Sequence, residues 1–68
     1  MEQKQERMLA WFKWEHLPPH LQDTSKMFQV VALAIVDNIQ PGPERTVALR
    51  KLLESKDAAV RAVVVPGG

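Results

Sequence analysis

The most apolar part of the chain is DTSKMFQVVALAIVD, residues 23–37, and its pattern is helical. At about 100° per residue, Val30, Ala34, Met27, Val31, Ile35, Phe28, Leu21 and Ala32 form one continuous arc over more than half the circumference. Gln22, Ser25, Lys26, Gln29 and Asp37 make up the polar remainder, and Leu33 and Val36 intrude on it. A surface helix usually carries an apolar stripe of about 100°. One this apolar needs partners on more than one side, and its own chain offers a single long neighbour. The pattern therefore predicts contact between copies.

The following segment alternates more conventionally. Leu49, Leu52, Leu53, Ala59, Val60 and Val63 share one face, while Arg50, Glu54, Asp57 and Arg61 share another with i,i+4 charge spacing. Two cations break this pattern. Lys56 falls at the centre of the apolar stripe, and Arg45 falls on the same side near the start. Lys56 either snorkels along the stripe or points into a gap between subunits. Arg45, with Thr46, either lies exposed at a helix start or completes an anion site beside free backbone N–H groups.

Proline sets the boundaries. Pro18-Pro19 and Pro41-Gly42-Pro43 are the strong breaks, and proline suits the first position of a helix but not its interior. The reading is all-α: one helical domain over 1–68, an antiparallel hairpin of helices at 19–39 and 43–63, a shorter N-terminal helix at 2–14, and a tail at 64–68. Within the N-terminal helix, Met8, Trp11 and Phe12 have the i,i+3,i+4 spacing of a docking stripe. Trp14 sits just before the break, where it either covers a helix end or offers a flat face to a ligand.

Composition narrows the function classes. A chain of 68 residues buries only about 60% of its unfolded surface, so a cross-link, a metal or self-association is expected to support it. With no cysteine, disulfides and thiolate metal sites are excluded, and His16 and His20 alone make no zinc site. Homo-oligomerisation is the remaining support. A net charge of +1 gives no general drive toward DNA or RNA. The opening MEQKQERM does not read as a signal peptide, and the apolar run from Met27 to Val36 is short of the roughly 18 residues that span a membrane. His16 and His20 are separated by the two prolines, and Ser25 and Ser55 lie in no nucleophile motif. The chain is not expected to be an enzyme or to hold a cofactor.

A resemblance adds what these patterns do not. Trp14, the His16-x-Pro18-x-x-x-Gln22 element, an apolar helix, the turn at Pro41 or Pro43, and then Glu44, Thr46, Ala48, Arg50, Lys51 and Glu54 follow one another in order. Together they resemble the small phage-encoded anti-CBASS sponges, over roughly residues 12 to 62. That resemblance implies a helical protein that assembles as a hexamer in the cytoplasm of the infected bacterium. There it sequesters a cyclic di- or trinucleotide immune signal without turning it over. It implies base stacking by Trp14 or Phe12 and a contact from Lys26. Where the sponges carry a late asparagine, this chain has Val60 or Arg61. The expected ligand-binding set is Trp14, His16, Lys26, Arg45, Thr46, Arg50 and Lys51, with no metal, membrane, DNA or RNA. The competing reading is a phage adaptor whose apolar surface binds a host protein.

Overall fold

The computed structural model describes residues 6–68, and the described residues contain three helices and no strand. A 3₁₀ segment, Arg7–Phe12, precedes α1, Pro19–Asn38, and α2, Pro43–Val64. Pro19 and Pro43 each open a helix, where the missing N–H would have had no intrahelical partner. Residues 39–42 turn the chain so that α2 runs back along α1, and the 3₁₀ segment packs against both. The molecule is drawn out, with extents of 43 × 22 × 15 Å and a radius of gyration of 13.0 Å. A compact globule of this length has a radius nearer 11 Å.

The core is small. Phe12, Ala32 and Leu49, one from each element, are fully buried and touch one another. Met8, Leu9, Phe28, Ile35, Val36, Leu52 and Leu53 close around them. Burying a Phe or Leu side chain is worth about 1.5–3 kcal/mol, so these few contacts carry much of the fold.

The N-terminal element differs from expectation. Residues 2–5 of the expected helix lie outside the described residues. The remainder is a 3₁₀ segment that ends at Phe12, because Lys13 is already extended on the way to the prolines. A 3₁₀-helix has three residues per turn, so positions i and i+3 eclipse. Glu6, Leu9 and Phe12 therefore share one side and face the hairpin. Trp11, expected to dock beside Phe12, is instead 63% exposed.

On α1, the face toward α2 carries Leu21, Ser25 and Ala32, all buried. The opposite face is also apolar and has no cover among the described residues: Met27 is 57% and Val30 66% exposed, with Val31 at 45% and Leu33 at 43%. Among the described residues no helix is long and apolar enough to cross a membrane.

Candidate functional site

The two cations that break the pattern of α2 both hold the N-terminal segment. Arg45 is buried at 8% exposure. Its Nη1 donates to the carbonyls of Ile39 at 2.8 Å and Val36 at 3.3 Å, at the C-terminal end of α1. A cation is favoured there by the unpaired carbonyls and the helix dipole. Its Nη2 donates to Glu6 Oε1 at 2.6 Å. Glu6 Oε2 in turn accepts from the Met8 N–H at 3.3 Å and caps the 3₁₀ segment. The bond from Arg45, and then that from Met8, holds the Glu6 carboxyl below its ordinary range.

Lys56 secures the other end. Its ammonium donates to the Trp11 carbonyl and lies 5.8 Å from the centroid of the Phe12 ring. A gap between subunits is not needed to occupy it. Arg45 is neither exposed at the helix start nor turned to an anion: three of its contacts are internal, and among the described residues its buried Nε has no partner. Thr46 is likewise turned locally, its hydroxyl donating to the Gly42 carbonyl at 3.3 Å.

At the other end of the hairpin two expected site residues do meet. Lys26 Nζ lies 4.4 Å from the centroid of the Trp14 ring, within cation–π range. Trp14 Nε1 donates to Gln29 Oε1 at 2.8 Å, which fixes the indole against α1. His16 is exposed nearby in sequence, on a turn closed by the Leu17 N–H to the Trp14 carbonyl at 3.0 Å. Gln22 steadies that turn through its amide, which donates to the Leu17 carbonyl at 3.0 Å.

The expected set is thus spread out. Arg45 is level with Val36 and Ile39, about ten residues along α1 from Lys26, or roughly 15 Å at 1.5 Å per residue. Arg50 and Lys51 are exposed on α2. Lys51 Nζ lies 3.8 Å from Glu54 Oε1, an exposed pair of little energetic weight. The anticipated Arg50–Glu54 and Asp57–Arg61 pairs are not closed among the described residues. Phe12, the other stacking candidate, is fully buried and unavailable.

Arg50 belongs instead to a cleft that the sequence did not announce. Met8, Trp11, Arg50, Leu53, Lys56 and Asp57 line an open groove of about 460 Å³ between the 3₁₀ segment and α2. It combines an exposed indole, a guanidinium, a carboxylate and an apolar floor. The missed signal was helical pitch: read as an α-helix, residues 7–12 bury Trp11, and as a 3₁₀ segment they turn it outward. The described residues contain no cluster of His, Asp and Glu able to hold a metal. In comparisons with known proteins the chain matches no family model, no curated protein and no solved structure.

Proposed function

We propose that the protein is a sponge that captures a cyclic oligonucleotide signal without turnover, in the cytoplasm of an infected bacterium. The observation that carries this reading is the cleft with Trp11 and Arg50 on its walls. A volume of about 460 Å³ falls in the usual range for small-ligand sites. Each half of a cyclic dinucleotide brings one base and one phosphate. The Trp11 indole offers a stacking surface, worth about 1–3 kcal/mol per base, and Arg50 offers a fork for phosphate oxygens. Asp57 can accept from an exocyclic amine. The stacking residue is then Trp11, where the sponge resemblance implied Trp14. Trp14 with Lys26, and with His16 on the neighbouring turn, forms a second aromatic–cation surface for the other half of the ligand. Arg45 and Thr46 are not ligand contacts in this reading, and Lys51 adds charge to the rim. Copies associate, to a hexamer by analogy with the sponges, and the bare outer face of α1 supports association.

The adaptor reading draws on that same outer face of α1, which is available to a host protein. Calorimetric titration with a panel of cyclic di- and trinucleotides separates the two. Saturable binding, lost in Trp11→Ala and Arg50→Ala at unchanged helicity, is the expected result. No heat from any member overturns the sponge and leaves the adaptor.

A further inference from the structure

We infer that the outer face of α1 is covered by a second copy of the same helix, running antiparallel about a two-fold axis near residue 32. This deepens only the self-association part of the proposed function; it stands or falls independently of nucleotide capture.

The stripe itself is Met27, Val30, Val31 and Ala34, the i,i+3,i+4,i+7 pattern of a helix–helix seam, with Leu33 on one flank. All five are exposed, opposite the face that α1 turns to α2. Their uncovered surface is on the order of 400 Å² per copy, at the size where an apolar patch on a monomer marks an interface. That is about half of what a stable interface buries per partner, and flanking polar side chains supply more when two helices lie side by side.

Charge chooses the occupant and its direction. Lys26 and Asp37 lie three turns apart, so both fall on the Leu33 flank of the stripe. They stand at nearly equal distances on either side of residue 32. Both are exposed, and neither has an ion-pair partner among the described residues. In an antiparallel pair with its axis near residue 32, Lys26 of each copy meets Asp37 of the other, twice over. Val30 then packs beside Ala34 of the second copy, and Leu33 faces Leu33. In a parallel two-fold pair the two Leu33 flanks lie on opposite sides of the seam, so Lys26 and Asp37 of one copy would reach neither of their counterparts on the other and the attraction would be lost. The remaining charge at the seam, Asp23, falls past the end of the opposing helix and stays in water. Lys26 is also held in place by the Trp14 ring, so little of its freedom is left to lose on pairing.

Sedimentation equilibrium of the intact protein tests this through a charge-swap cycle, with circular dichroism confirming that each variant keeps its helicity. The wild-type chain is expected as a dimer or a multiple of dimers. Lys26→Asp and Asp37→Lys each weaken association roughly tenfold or more, since each turns two attractions into two repulsions. The double variant Lys26→Asp/Asp37→Lys recovers wild-type association to within about threefold. Val30→Asp, which leaves the flanking charges in place, yields monomer. A monomeric or trimeric wild type overturns the inference. So does a double variant no better than the singles, or a Val30→Asp protein that associates normally. A wild-type chain that binds no cyclic nucleotide while the swap cycle is obeyed overturns the sponge reading and leaves this pairing standing.

Discussion

Replacing Arg45 by Met distinguishes an internal fastener from a ligand-binding cation. The substitution keeps an apolar stem of similar length and removes the guanidinium alone. Three hydrogen bonds go with it, to Glu6, Ile39 and Val36. Ile39 is exposed, so its carbonyl is free to turn to water. Glu6 is worse placed: its side chain is only 15% exposed, and its carboxylate loses the one cationic partner it has among the described residues. Removing one member of a buried ion pair costs about 3–5 kcal/mol, and the partial access of Glu6 lowers the figure here to about 2–4 kcal/mol. At roughly 4–8 °C per kcal/mol for a domain this small, the thermal midpoint falls by about 8–30 °C. Thermal and urea denaturation followed by helical circular dichroism measure the two quantities, at two protein concentrations so that dissociation and unfolding are told apart. Glu6→Gln/Arg45→Met recovers part of the loss, with a coupling of about 1–2 kcal/mol. Acid offers a second readout. The Glu6 carboxyl is held below its ordinary value of 4.5, so the pair contributes fully above that pH and is lost as pH falls through the lowered value. Glu6→Gln flattens that part of the acid transition. If Arg45→Met changes stability by less than about 0.5 kcal/mol, as a surface residue does, the reasoning fails.

Three further outcomes follow from the same contacts. Lys56→Ala releases the Trp11 carbonyl and the Phe12 ring, costs about 1–2 kcal/mol, and speeds amide exchange across residues 7–14 while α1 and α2 stay protected; uniform exchange refutes it. Phe12→Ala empties the junction of all three elements and costs about 3–5 kcal/mol, enough to leave little cooperative unfolding in a urea titration. Ser25 is fully buried and its hydroxyl has no partner among the described residues, so Ser25→Ala raises stability by up to about 1 kcal/mol; a drop in the urea midpoint contradicts that.

The hairpin was legible because its signals are local. Pro19 and Pro43 mark helix starts, and each long helix carries its period over several turns. Arg45 and Lys56 were legible as exceptions but not as fasteners. Their partners are a carboxylate 39 positions away and a backbone carbonyl 45 positions away, and a carbonyl leaves no trace in residue identity. The pairing of Trp14 with Lys26 was hidden for another reason: the turn between them sets the angle at which the indole meets α1. Trp11 was misplaced because a six-residue segment is too short for its period to separate a 3₁₀ from an α pitch.

The fastening of residues 6–12 by α2 has a consequence for how the protein is made. A ribosome delivers Glu6 and Trp11 long before Arg45 and Lys56, and at about 5–20 residues per second the delay amounts to several seconds. Throughout that interval Phe12 has no pocket to enter, and once it leaves the exit tunnel its apolar neighbours stand in water until the two cations follow. Nascent chains held on the ribosome by a linker that exposes residues 6–12 but keeps Arg45 and Lys56 in the tunnel should therefore be unusually attractive to chaperones, and chains whose linker is long enough to expose both cations should not.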